Sequence, residues 1–223
     1  MTKLLLTASL ALAGLQAQAD TLDFSNAAPA PNICAAANNG VGALTGCSDG
    51  SWINQSYGDI AGVLDVQYSQ PLATSATSLR WWSTNYNNLY GVLWADGGDN
   101  PASYARVDLV PLAGHSITLT SLDLGAYSLT TRGTDLKVFD LGSNAELYSF
   151  VGPVGNGSIS ANTFNLGLTS TAGLRIEWRN SAYNVGLDNV VFLTSAVPEP
   201  ANAALALAGL AVLGAAAARR RAG

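Results

Sequence analysis

The 223-residue chain is poor in the side chains that carry most enzymatic chemistry. Its one histidine is His115 and its two cysteines are Cys34 and Cys47, too few ligands for a His/Cys zinc site. Glutamate occurs only as Glu146, Glu177 and Glu199. Aspartates are more numerous but fall mostly at turns, where they bond their own backbone, so no carboxyl pair stands out as the acid and base of a glycoside hydrolase. Glu177 lies between Ile176 and Trp178 on an alternating segment, which points it away from their face and toward solvent. Lysine occurs only as Lys3 and Lys137, and no basic stripe exists that would displace counterions from phosphates, which excludes a nucleic-acid partner. No stretch between Asp20 and Val197 sustains a helical period, which excludes helical bundles and wound α/β folds.

What is present is concentrated first at the two ends. Lys3, the apolar run Leu4 to Leu15 and the small-x-small triplet Ala17-Gln18-Ala19 read as a secretory signal peptide, residues 1–19, removed by signal peptidase before Asp20. At the other end come Val197-Pro198-Glu199-Pro200, an uncharged Ala/Leu/Gly-rich run from Ala201 to Ala218, and Arg219, Arg220 and Arg221. The two prolines keep the peptide around Glu199 extended and open to an enzyme. The apolar run, at about 1.5 Å per residue, reaches roughly 27 Å, close to the hydrocarbon thickness of a bilayer. The arginines hold its far end in the cytoplasm and place the preceding chain outside.

This order of motif, span and basic cluster resembles the PEP-CTERM sorting signal of Gram-negative bacteria, here residues 197–223. The resemblance implies a membrane transpeptidase, exosortase, as partner. It would cut at the motif and pass the protein to the cell surface or the exopolysaccharide matrix, so the membrane anchor is transient.

The body, residues 20–196, is long enough for one domain with a substantial core. Without the two ends its basic residues are Arg80, Arg106, Arg132, Lys137, Arg175 and Arg179, against fifteen acids in the whole chain, so the domain is acidic. That suits a soluble exported protein or one that binds divalent cations. In an oxidising compartment Cys34 and Cys47 are most simply a disulfide, worth about 3 kcal/mol for a loop of this size. It would pin the aperiodic stretch from Ala27 to Gly50.

From Trp52 onward the residues alternate. Leu64, Val66 and Tyr68, then Ala105, Val107 and Leu109, then Ile117 and Leu119, Leu136 and Val138, and Leu174, Ile176 and Trp178 each mark one face of a strand. Gly, Asn, Asp and Pro clusters separate them. About nine to eleven short strands in one domain predict an all-β, antiparallel β-sandwich, of jelly-roll type. The segment from Val185 to Leu193 resembles the closing strand of jelly-roll carbohydrate-binding modules and galactose-binding-like domains. The segment Ile53 to Asp59, with Val63 to Tyr68, resembles one recurring in PEP-CTERM proteins.

Three sets of residues are candidates for function. Trp81, Trp82, Tyr86, Tyr90, Trp94 and Tyr104 form an aromatic group in which adjacent Trp81 and Trp82 must face opposite sides of a strand. One ring can fill the core while the other lies outside, where an exposed indole is a stacking platform for a sugar and Asn85, Asn87, Asn88 and Asp96 could bond hydroxyls; the plainer reading of any single ring is core or cross-strand packing. Ligand contact is therefore expected among Trp81, Trp82, Tyr86 and Trp94, with exopolysaccharide as the partner. No cofactor is required, but the jelly-roll resemblance implies a structural calcium at Asp188 with Asp23 or Asp20; Asp96 to Asn100 is a second oxygen-rich loop. Gly46-Cys47-Ser48-Asp49-Gly50 matches the G-x-S-x-G elbow and allows an alternative, a serine hydrolase using Ser48 and His115. The motif lacks the strand before and helix after that it needs, so no catalytic residue is assigned. The expectation is a non-enzymatic surface or matrix protein, carbohydrate-binding or purely structural.

Overall fold

The computed structural model describes residues 18–25, 31–72, 75–97, 103–155, 159–197, 209–210 and 218–219. The expected signal peptide up to Ala17, the Pro-Glu-Pro motif, most of the apolar run, Arg220 and Arg221 lie outside the described residues. Arg219 is described as exposed, in a helical pair with Ala218. Among the described residues no helix is long and apolar enough to cross a membrane.

Among the described residues fourteen strands form two sheets. In chain order they are β1 (Gln18–Leu22), β2 (Cys34–Ala35), β3 (Trp52–Ile53), β4 (Leu64–Leu72), β5 (Ser75–Thr77), β6 (Arg80–Trp82) and β7 (Val92–Trp94). Then come β8 (Tyr104–Pro111), β9 (His115–Ala126), β10 (Arg132–Asp140), β11 (Glu146–Val154), β12 (Asn162–Ser170), β13 (Leu174–Arg179) and β14 (Val185–Ala196). The first sheet runs β12-β9-β14-β7-β6-β3-β2 with β1 beside β14, and the second runs β11-β10-β13-β8-β4-β5. Every pairing is antiparallel. From β8 onward the chain crosses between sheets at nearly every connection, the way a jelly roll is wound.

The alternation read from the sequence places the core. Leu64, Val66 and Tyr68, Val107 and Leu109, Ile117 and Leu119, Leu136 and Val138, and Leu174, Ile176 and Trp178 are all buried between the sheets. Polar atoms carried inside with these rings are bonded: Trp81 Nε1 donates to Phe24 O at 2.8 Å, Trp178 Nε1 to Val185 O at 2.9 Å and the Tyr68 hydroxyl to Tyr57 O at 2.8 Å. Burial without these partners would cost far more than each bond returns.

Cys34 and Cys47 form the disulfide, with Cα atoms 5.2 Å apart. It ties the loop after β2 to the edge of the first sheet, where Cys34 also exchanges backbone bonds with Thr45. At the two ends of the body, β1 starts at Gln18, two residues ahead of the cut expected before Asp20, and Asp20, Thr21 and Leu22 pair with Phe192, Val191 and Val190. β14 ends at Ala196, and the Val197 amide still donates to Gly114 O at 2.7 Å.

The outer face of the second sheet corrects the reading of Glu177. Its side chain does leave the core, yet it is only 1% exposed, because Arg106 and Arg179 close over it and each bonds one of its oxygens. Alternation specifies the face of a strand, while exposure depends on what long neighbours do; here the arginine stems cover the carboxylate. Tyr104 lies under both guanidiniums, 4.0 Å from that of Arg106, and Arg175 grips Asp108 with two bonds of 2.8 and 2.7 Å.

Candidate functional site

The aromatic group divides as the strand geometry requires, but not all of it reaches a site. β6 pairs with β7 so that Trp81 opposes Leu93 while Trp82 opposes Val92 and Arg80 opposes Trp94. Trp81 and Leu93 point inward, and Trp81 is only 1% exposed. Trp81 is therefore a core residue and is withdrawn from the expected ligand contacts. Arg80, Trp82, Val92 and Trp94 share the outer face.

On that face Trp82, Tyr86 and Trp94 meet two rings that the sequence did not bring forward, Tyr127 just after β9 and Tyr183 just before β14. Together with Asn184 they line a pocket of about 70 Å³. The rings stand edge to face: Trp82 against Trp94 (6.2 Å, 78°), Trp82 against Tyr127 (6.0 Å, 85°) and Trp94 against Tyr183 (5.1 Å, 88°). This is the arrangement that the ring quadrupole favours, so the walls hold one another. Tyr183 is 43% exposed and Trp82 is half-buried, so the pocket opens to solvent.

The segment from Ser83 to Gly91 can lie flat on the sheet because the strands beneath it carry glycine. A Cβ on Gly186 would sit 2.5 Å from Val92 Cγ2, and one on Gly125 would overlap Tyr86 O. The asparagines expected to bond sugar hydroxyls instead fasten this segment. Asn87 accepts from the Ala126 amide and donates to Thr130 O, and Asn88 accepts from the Ala161 amide at 2.7 Å. Asn85 supplies its carbonyl to Leu129 N and takes a positive φ of 71°. Asp96 is held by Arg80 at 2.6 Å, so it too is structural. Tyr90 stands exposed by itself, and Tyr104 belongs to the other sheet.

Trp94 is 7% exposed, and its buried Nε1 has no hydrogen-bond partner among the described residues.

Ser48 and His115 are not brought together. Ser48 Oγ lies 3.1 Å from Ser51 Oγ in the turn before β3, and His115 opens β9 opposite Ala196. Four strand spacings separate β3 from β9, roughly 19 Å at about 4.8 Å each. Asp188 and Asp23 do converge, but as a clasp between chain ends: Asp188 accepts the Phe24 amide at 3.0 Å, and Asp23 accepts the Ser25 amide at 2.8 Å. Both carboxylates are thus engaged by backbone donors, and among the described residues no three His, Cys, Asp or Glu side chains gather to hold a metal ion. Of the second oxygen-rich loop, Gly98 to Asn100 lie outside the described residues.

No protein-family model matches the sequence, and no curated protein matches it. Among solved structures, the chain is similar to a GH26-CBM35 β-(1,4)-mannanase of Podospora anserina, at 13% identity over 62% of this chain and 29% of that one, with a TM-score of 0.31. It is similar to CBM22-1-GH10 modules of a Clostridium thermocellum xylanase complexed with xylohexaose, at 12% identity over 65% of this chain and 27% of that one (TM-score 0.29). It is similar to a family 29 carbohydrate-binding module from Piromyces equi, at 16% identity over 60% of this chain and 91% of that one (TM-score 0.28). The chain thus spans less than a third of the two modular enzymes and most of the free-standing module.

Proposed function

We propose that this is an exported, non-catalytic surface or matrix protein that binds polysaccharide at the pocket formed by Trp82, Tyr86, Trp94, Tyr127 and Tyr183. The observation that carries the reading is the convergence of five rings, from three separate parts of the chain, around an opening to solvent, with Trp82, Tyr127 and Tyr183 partly open over the buried Tyr86 and Trp94. Rings whose only task is packing are enclosed, as Trp81 and Trp178 are. Rings left partly open at the surface offer a flat apolar face, and the C–H face of a sugar is its natural complement. The wide separation of Ser48 and His115 favours binding over hydrolysis.

Export is supported by the sequence at both ends. The proposed route is cleavage by signal peptidase before Asp20, passage through the inner membrane, and processing by an exosortase-type transpeptidase at Val197-Pro198-Glu199-Pro200. Intact mass spectrometry of the protein recovered from the cell surface is expected to show Asp20 as the first residue and loss of residues 201–223. A surface form that keeps Arg219, Arg220 and Arg221 would overturn the sorting step.

Binding is tested by affinity electrophoresis of the purified chain in gels containing native exopolysaccharide. Retardation is expected, with a loss of about tenfold or more in Trp82→Ala, since removing a central aromatic contact costs more than about 1 kcal/mol. Unretarded wild-type protein would leave a purely structural matrix role.

A further inference from the structure

β14 joins the pocket to the place where the chain leaves the body. Tyr183 and Asn184, which line the pocket, lie just before its first residue, and Val185 opposes Ala126, the neighbour of Tyr127. At its other end Ala196 opposes His115, and the Val197 amide donates to Gly114 O at 2.7 Å. At about 3.3 Å per residue β14 puts roughly 35 Å between Val185 and Ala196. The pocket and the exit of the chain therefore lie toward opposite ends of the sandwich.

The exit leaves little slack. The apolar run that the sequence places across a bilayer begins at Ala201, so only Val197, still bonded to Gly114, and Pro198, Glu199 and Pro200 stand between the sheet and that run. From Val197 to Ala201 the chain reaches at most about 14 Å even fully extended, less than half the length of β14. A body held that closely by one end of a strand has that end to set against the membrane.

The end concerned is suited to the contact. The turns 60–63, 112–114 and 171–173 gather there: Leu64 opposes Pro111, the Leu112 amide donates to Val63 O at 2.8 Å, and Ser170 opposes Ile117. They read Ile60-Ala61-Gly62-Val63, Leu112-Ala113-Gly114 and Thr171-Ala172-Gly173, without a charged side chain, and Ala61, Leu112, Ala113 and Ala172 are exposed. An acidic body is repelled by anionic phospholipid headgroups wherever it turns carboxylates toward them, and these turns hold none.

We propose that, while residues 201–218 hold the chain in the bilayer, the body stands on the lipid surface with these turns and directs the aromatic pocket away from it, open to polysaccharide before the tail is removed. The inference rests on the reading of the C-terminal run as a membrane span and is independent of which sugar is bound.

Residues 20–223, the chain as signal peptidase would leave it, are assembled into nanodiscs of phosphatidylethanolamine and phosphatidylglycerol in which a minority lipid carries a nitroxide on its headgroup, a quencher that acts only at short range. Both native cysteines are in the disulfide, so one added cysteine takes a fluorophore selectively. Leu112→Cys and Ala172→Cys, at exposed positions, report from the exit end, and Leu129→Cys, exposed and just past Tyr127, reports from the pocket end. Quenching is expected to be several-fold at positions 112 and 172 and absent at 129. Equal quenching at both ends, quenching at neither, or quenching at 129 alone would overturn the orientation and leave export and polysaccharide binding as proposed. A chain that does not assemble into nanodiscs would overturn the membrane span itself, and the orientation with it.

Discussion

Trp81→Ala is expected to lower stability by about 3–5 kcal/mol, while Trp82→Ala, one residue on, costs about 1 kcal/mol and acts on binding instead. The contrast follows from the two-residue period of β6. Trp81 enters the space between the sheets beside Leu93, is fully enclosed, and gives its Nε1 to Phe24 O. Truncation leaves a cavity where a whole indole was and strips a buried carbonyl of its donor, two separate penalties. It also loosens the link between Phe24, just after β1, and the rest of the first sheet. Trp82 touches Trp94 and Tyr127 edge-on at the outer surface, where water can replace it. Denaturant unfolding of the two variants, followed by far-UV circular dichroism, measures the difference. Equal losses would mean that the outer cluster is a second core and not a ligand surface.

That division of labour was legible in the sequence at some positions and hidden at others. Alternation identified the inward faces of β4, β8, β9, β10 and β13, because a sandwich strand with a buried and an open face writes its period directly into residue type. It also required Trp81 and Trp82 to part company. The short strands β2, β3, β5, β6 and β7 lie below the length at which any period can show, so the described residues hold fourteen strands where nine to eleven were expected. Their positions are set by cross-links between distant segments, such as the Cys34–Cys47 bond and the Arg80–Asp96 ion pair. The pocket was half visible for the same reason. Trp82, Tyr86 and Trp94 are neighbours in the chain, whereas Tyr127 and Tyr183 arrive only because β9 and β14 are adjacent and antiparallel, which places the end of one beside the start of the other. No local pattern marks two isolated tyrosines as partners. Asn87 shows the converse limit: its residue type suggested a sugar contact, but the demand of the Ala126 amide and Thr130 carbonyl was invisible until the fold placed them.

Asp188→Asn is expected to stabilise the protein at pH 8 by as much as a few kcal/mol and to flatten the dependence of melting temperature on pH between 5 and 8. Asp188 sits where β14 shifts register against β9, directly across from Asp123, and is only 2% exposed. Burial pushes its carboxyl up to about 7, the nearby charges of Asp23 and Asp123 add to the rise, and the Phe24 and Asn189 amides partly oppose it. Tyr57, which also faces Asp23, is pushed up to about 12 chiefly by burial, so it stays neutral and adds no further negative charge. In the unfolded chain the carboxyl returns to the ordinary range near 3.8. The folded state therefore binds the extra proton between these two values. The stabilisation is fully present below about 3.8 and is lost as pH rises through about 7. Asp140 shifts the opposite way, to about 2, because Ser170 and Ser143 bond its charged form; its contribution is lost only as pH falls through that value, outside this window. Asparagine keeps an oxygen for the Phe24 amide and removes the charge, so the variant should melt at the same temperature at pH 5 and pH 8. Wild type should melt several degrees lower at pH 8, at about 2–4 °C per kcal/mol for a domain of this size. Calcium separates the two accounts of Asp188. An ion held by Asp188 and Asp23 would raise the melting temperature of wild type at pH 8 and leave Asp188→Asn unmoved. With both carboxylates already accepting backbone amides, calcium and chelator are expected to give the same curve, and a calcium-dependent rise in wild type alone would show that the clasp opens to take a metal.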